Sequence, residues 1–323
     1  MKSIITGSLR NLSSIEFGEF IERSIEKYLK EPVSDYSRIH TNLYFRQFAE
    51  ILLPNMASDV NFPEIEVIIP AAQKDFELLP LVTASLIENS TNPISRITIV
   101  SSENSGLKFA DRRIREINEN DFLPSEILDS IASNSRVTRK GWTLQQVIKL
   151  YGSATSEFKG VLVCDSDTIL TRKSPWLLWN DKQRLSVSHE YHKPYQAQYE
   201  RFLKSTGRNP QKTRMSYVTH HQLMQQKLVF EMLNGSEIGI NSGIIKWMEA
   251  FDVADQSSGC EYHSYGTYLV SNYPERVLLT RWRNRGISTK TFLAGFYDNS
   301  KFDVRQIQRI YPWAHSVSVQ SYL

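Results

Sequence analysis

Asp165-Ser166-Asp167 follows the apolar run Gly160-Val161-Leu162-Val163-Cys164 without a break. In an extended segment alternate side chains share a face, so both carboxylates can point at one spot. Paired carboxylates offer hard oxygen ligands suited to Mg²⁺ or Mn²⁺, cations that keep positions open for substrate phosphates. A metal held there would neutralise a diphosphate and help it leave. The competing assignment is plainer: one Asp closes the next turn and the other is solvated.

Three further clusters carry groups that can recognise anions or hydroxyls. Arg139 and Lys140 precede a helical pattern bearing Gln145, Gln146 and Lys149; cations there can hold a diphosphate or an anionic sugar, or form a solvated helix start. Gln145 and Lys149 are four apart and share a helix face. His189-Glu190-Tyr191-His192 follows an apolar segment, where polar side chains can contact sugar hydroxyls. Arg281-Trp282-Arg283-Asn284-Arg285 can clamp a phosphate, or it can be a solvated strand edge. From these, His189, Glu190 and Arg283 are taken as substrate candidates, together with Tyr265.

These residues need a scaffold, and the hydrophobic pattern supplies one. Glu66-Val67-Ile68-Ile69-Pro70 reads as a short buried strand, Lys74 to Asn89 as a helix, and Arg96 to Val100 as a second strand. That β-α-β order implies a right-handed parallel crossover. Gly141 to Tyr151 reads as a helix, Gly160 to Cys164 as a third strand and Arg184 to Ser188 as a fourth. Gln222 to Leu233 reads as a helix, as does Glu261 to Leu269. The expected fold is α/β: an open, mostly parallel sheet flanked by helices, which binds ligands beyond the carboxyl ends of its strands. Ser14 to Lys30 and Tyr44 to Leu53 read as helices of an N-terminal extension over residues 1–63, with the main domain over 64–323.

The composition is that of a globular protein: 323 residues, 41% hydrophobic, 23% charged. The formal net charge of +3 is too small to point to nucleic acid. The two cysteines, Cys164 and Cys260, have no zinc-type spacing, and a reducing compartment is expected. No apolar run approaches a bilayer span and no secretory leader is evident. The expected location is the cytoplasm, with peripheral contact at the inner face of the membrane left open.

Taken in order, Lys140 to Gln146, Asp165-Ser166-Asp167, His189-Glu190-Tyr191, Thr219-His220-His221 and Glu261 to Gly266 resemble a bacterial family of glycosyltransferase-like proteins often associated with surface polysaccharide synthesis. Glu66 to Asp75, Arg96 to Ser102 and Gly160 to Leu170 resemble the nucleotide-sugar half of GT-A-type glycosyltransferases. The resemblance spans about Glu64 to Arg285, and divides the main domain into a donor half (64–170) and an acceptor half (171–323).

The resemblance implies roles. Pro70, Ala71 and Gln73 would lie by the nucleobase, and Ser101, Ser102 and Glu103 by the ribose. Asp165 and Asp167 would face metal and diphosphate. A third ligand, commonly His in such enzymes, would come from the C-terminal half: His220 or His221, with His263 and His315 competing, and His220 is taken here. Adjacent histidines point in two directions, so at most one of the pair serves. Glu261 would be the general base of an inverting transfer, or only a carboxylate favoured by the helix N-terminus. The implied activity is metal-dependent transfer, with Mn²⁺ or Mg²⁺, of a sugar from a nucleotide-sugar donor to a glycan or lipid-linked acceptor. The alternatives are a nucleotidyltransferase, disfavoured because Pro70-Ala71-Ala72-Gln73-Lys74 lacks glycine, and a non-catalytic nucleotide-binding scaffold.

Overall fold

A computed structural model describes residues 62–178, 181–188, 192–211, 213, 215–255, 258–288 and 304–320. Phe62–Leu278 and Trp282–Leu323 belong to one compact unit, from which Leu279–Arg281 are set apart. The helices expected over Ser14 to Lys30 and Tyr44 to Leu53 lie outside the described residues.

In chain order the principal elements are β1 (Ile65–Pro70), a 3₁₀ turn (Gln73–Leu78), α1 (Leu79–Asn89), β2 (Ile94–Ser101), β3 (Ile114–Asn118), α2 (Ser125–Ser133), α3 (Lys140–Thr155), β4 (Gly160–Cys164), β5 (Thr168–Leu170), β6 (Gln183–Val187), α4 (Lys193–Ser205), β7 (His221–Gln225), α5 (Gln226–Met232), α6 (Ile240–Glu249), α7 (Glu261–Asn272), β8 (Val277–Arg281), β9 (Asn284–Ser288), α8 (Val304–Ile310) and β10 (Ser316–Gln320). The central sheet runs β3-β2-β1-β4-β7. β1 pairs in parallel with β2 and β4, and β2 with β3, while β7 is antiparallel to β4. A second sheet, β5-β10-β9, joins residues just after β4 to two much later strands. The expected α/β architecture, an open and mostly parallel sheet flanked by helices, is present.

β1 and β4 are buried at every position, which is why they read as continuous apolar runs. The exception inside β1 is Glu66, 3% exposed. Its carboxylate accepts from Arg96 at 2.8 and 3.1 Å, from Thr98 at 3.0 Å and from Ser156 at 2.7 Å. A buried charge is tolerated because it is paired and fully hydrogen-bonded.

Three expectations about elements change. The helix expected over Lys74 to Asn89 begins as a 3₁₀ turn and becomes α-helical only at Leu79, with Pro80 in the first turn, where its missing N–H costs nothing. The segment Arg184 to Ser188 is extended, as β6, but it is not a strand of the central sheet. Gln222 to Gln225, read as the start of a helix, belong to strand β7: Cys164 pairs with His221 and Gly160 with Gln225, and the β4 backbone completes its hydrogen bonding. Helical spacing of Leu223 and its neighbours loses to pairing on a sheet edge.

Strand order reverses at β1, with β2 on one side and β4 on the other. The crevice outside the carboxyl ends of such a pair is where open α/β sheets bind ligands. Helix α7 lies tightly against Tyr217 at Gly266, where a Cβ would fall 2.4 Å from Cγ and 2.5 Å from Cβ of that tyrosine. The Tyr217 Cβ is bonded to the backbone and cannot swing aside, and its ring is fully buried. Gly266→Ala is therefore expected to lose about 1–3 kcal/mol of stability, read as a lower thermal midpoint; an unchanged midpoint would contradict the close approach.

Candidate metal centre

The turn after β4 places Asp165 at the carboxyl edge of the sheet, opposite His220, the residue just before the antiparallel strand β7. The Asp165 amide donates to the His220 carbonyl at 2.9 Å, and His220 Nδ1 lies 3.0 Å from Asp165 Oδ2. Ligand atoms of Asp165, Asp167 and His220 fall within 4.8 Å of one another, and all three residues are half-buried. Two carboxylates and an imidazole form a donor set suited to Mn²⁺, and Mg²⁺ through the oxygens.

Each member is held from behind. Asp165 Oδ1 accepts from Lys149 Nζ and, at 3.0 Å, from the Tyr262 hydroxyl. Lys149 is buried, donates also to Glu261 Oε1 at 2.8 Å, and lies 4.4 Å from the centre of the Tyr262 ring. Asp167 accepts from Thr168 Oγ1 at 3.2 Å, and its carbonyl accepts the Val319 amide at 2.8 Å. Between them, Ser166 donates to Asp75 Oδ2 at 2.8 Å, tying the triplet to the turn that follows β1.

The electrostatics follow from this crowding. Burial would depress the Lys149 ammonium, but the charges of Asp165 and Glu261 override it and raise its pKa. Burial works against ionised Asp165 as well, yet Lys149 and His220 hold its pKa below the ordinary range. Asp167 moves the other way: burial and the adjacent Asp165 charge raise it. Asp75 is also raised by burial. Around the crevice the carboxylates of Asp75, Asp165, Asp167 and Glu261 thus outnumber the ammonium of Lys149 and the imidazole of His220. A divalent cation at Asp165, Asp167 and His220 would restore the balance, so the residues present fit one.

His221, the first residue of β7, turns away from the cluster. Its ring stacks edge-on to Trp176 at 5.3 Å, and burial lowers its pKa to about 3. His263 is buried 3.2 Å from Gln196 Oε1, and His315 sits 2.9 Å from Arg184. The choice of His220 over these three is the one the geometry supports.

The other sequence candidates divide. Pro70, Ala71 and Gln73 lie at the end of β1 and Ser101, Ser102 and Glu103 at the end of β2, along the same carboxyl edge as Asp165. Of these, Gln73, Ser102 and Glu103 are exposed, whereas Ser101 Oγ is committed to the Glu103 carbonyl at 2.6 Å. Arg139 and Lys140 stand at the exposed start of α3, more than two helical turns from Lys149; Lys140 donates to the Ala132 carbonyl at 2.6 Å and Arg139 lies over Trp142. Gln145 is half-buried, and it is Gln146 that reaches the site region, accepting the Glu261 amide at 3.2 Å. Arg283 is half-buried at the head of β9, and its carbonyl accepts the His315 amide at 2.7 Å. His189 and Glu190 lie outside the described residues.

Two candidate side chains lie in the interior. Tyr265 is fully buried, its hydroxyl donating to Gln183 Oε1 at 2.7 Å and accepting the Gln225 amide at 2.8 Å, which places it in the core. Glu261 opens α7 as expected, but it is 2% exposed and bound to Lys149. In this arrangement it fixes the lysine and does not face an acceptor. Lys149 and Tyr262 are the contacts of Asp165 that the sequence reading did not assign; they are distant from it in sequence, and only the chemical oddity of an apolar-flanked lysine on α3 hints at them.

Compared with protein-family models and with curated proteins, the chain matches none.

Lys149 makes a sharp test of this network. Lys149→Met leaves Asp165 and Glu261 buried without their shared cation, and should cost about 3–5 kcal/mol. Adding Glu261→Gln removes one of the two orphaned charges and should recover a clear part of that loss in urea unfolding. If the double variant is no more stable than Lys149→Met alone, the ammonium is not the counter-charge described here.

Proposed function

We propose that the chain is a metal-dependent glycosyltransferase of GT-A architecture, moving a sugar from a nucleotide-sugar donor to a glycan or lipid-linked acceptor in surface-polysaccharide synthesis. The observation that carries the proposal is the convergence of Asp165, Asp167 and His220 at the reversal point of a mostly parallel sheet. It is supported by the order of polar blocks along the chain and by the exposed Gln73, Ser102 and Glu103 on the same edge, where a base and ribose would lie.

A bound Mn²⁺ or Mg²⁺ would supply Lewis-acid neutralisation of the donor diphosphate. The chain's own residues do the rest. Asp165, Asp167 and His220 bind the cation. Lys149 and the Tyr262 hydroxyl orient Asp165 by occupying its Oδ1, which leaves Oδ2 turned toward His220. Asp75 holds the triplet through Ser166. Inverting transfer, suggested by a carboxylate at a helix start, would need Glu261 to leave Lys149, and its burial gives it no access to an acceptor hydroxyl.

The test is a thermal-shift screen of nucleotides and nucleotide sugars with and without Mn²⁺, since a ligand bound only by the folded chain raises the melting point. One nucleotide class should stabilise the protein only when Mn²⁺ is present. Asp167→Ala should keep the fold, lose that shift, and abolish donor hydrolysis and transfer. Full activity in this variant or in excess chelator would overturn the metal mechanism, and stabilisation by nucleoside triphosphates with release of pyrophosphate would favour nucleotidyl transfer instead.

A further inference from the structure

Among the described residues three large hydrophobic side chains are well exposed: Val253, Ile310 at 52% and Trp313 at 47%. Two of the three share one projection. Helix α8 ends at Ile310, the Tyr311 amide donates to the Ile307 carbonyl at 2.9 Å, and the chain reverses with the Ala314 amide on the Tyr311 carbonyl at 3.0 Å. Pro312 and Trp313 form the corner of that turn and stand in solvent.

The projection is rigid at its base. Ile307 and Ala314 are fully buried in the core, and Thr171 clamps the turn, its hydroxyl donating to the Ala314 carbonyl at 2.8 Å and its amide to the His315 carbonyl at 3.0 Å. The exposure of Trp313 is therefore built into the fold. Cations adjoin it: Arg172 donates to the Pro312 carbonyl at the tip itself, Lys173 follows it in the chain and Arg309 lies in the last turn of α8, and all three are exposed. Arg305 stands on the same helix, 3.7 Å from Glu88.

An exposed Trp and Ile set among basic side chains have the composition of a membrane-interface anchor: the indole settles at headgroup level, the aliphatic chain enters the acyl boundary, and the cations meet anionic lipid. A stable protein interface buries about 800 Å² on each partner, far more than a two-residue convex tip can offer. We propose that the Ile310–Trp313 turn, with Arg172, Lys173 and Arg309, docks this chain on an anionic phospholipid surface. The anchor and the candidate metal centre share a ladder: Asp167 and Thr171 bracket β5, so roughly 13 Å of strand at ~3.3 Å per residue separates them. The proposal does not depend on the transfer reaction above.

Co-sedimentation of the full chain with lipid vesicles tests it. The protein should pellet with vesicles of phosphatidylcholine mixed with phosphatidylglycerol, should stay in solution with phosphatidylcholine alone, and should be released by added salt. Trp313→Ala should weaken binding about tenfold, and Lys173→Gln with Arg309→Gln about 25-fold together, at about fivefold per cation. All three side chains are exposed, so thermal midpoints should not move and a lost interaction cannot be blamed on unfolding. Equal binding to both lipid compositions, undiminished binding by Trp313→Ala, or absence of vesicle binding alongside a self-association that the same substitutions abolish would each overturn it, the last in favour of a protein partner.

Discussion

A single ammonium ion, that of Lys149, sits where α3, the end of β4 and the start of α7 meet, and the candidate centre depends on it. Its two carboxylate partners come from residues 16 and 112 positions away in the chain. Without it, Asp165 and Glu261 would be like charges brought together in a poorly solvated space, an arrangement that folding alone would not sustain. With it, Asp165 remains ionised and directed at His220, and the surplus of negative charge falls on Asp167 and Asp75. The fold thus concentrates unfavourable charge where a cation can relieve it.

Helix α7 shows how the same contact organises secondary structure. Its N-cap is Cys260, which offers no side-chain hydrogen bond to the first turn. The orphan amide of Glu261 is instead taken up by Gln146 of α3, one turn before Lys149. One face of α3 therefore both caps α7 and neutralises its first residue. The glycine at 266 lets the next turn of the same helix lie against Tyr217.

The apolar strands β1, β2 and β4 and the DxD triplet were readable because their signals are local: continuous burial makes continuous apolar runs, and a strand end makes a natural place for paired carboxylates. His220 was readable only as one of several histidines, since the direction of a side chain depends on the strand it occupies, and β7 itself looked helical in isolation. Lys149 was invisible as a site residue because helical spacing paired it with Gln145, whereas its partners are defined by tertiary packing. Glu261 was placed correctly at a helix start yet given an outward-facing task; nothing in its neighbours Cys260 and Tyr262 reveals that a lysine from another helix has claimed it. Tyr265, four residues on, lies on the same inward face and shares that fate. The second sheet left no trace because β5 is three residues long and its partner strand lies some 150 residues later.

That last pairing has a consequence for the order in which the molecule is made. The three candidate metal ligands have all been synthesised once His220 emerges, but the main-chain grip on Asp167 comes from Val319. At ribosomal speeds the roughly 100 residues between His220 and Val319 take on the order of ten seconds to add. During that interval a nascent chain holds a complete set of donor atoms on a loosely supported turn. The turn that carries Asp167 gains this last main-chain support only when β10 slots in beside β5, so a strand that contributes no candidate ligand completes the setting of the three that do.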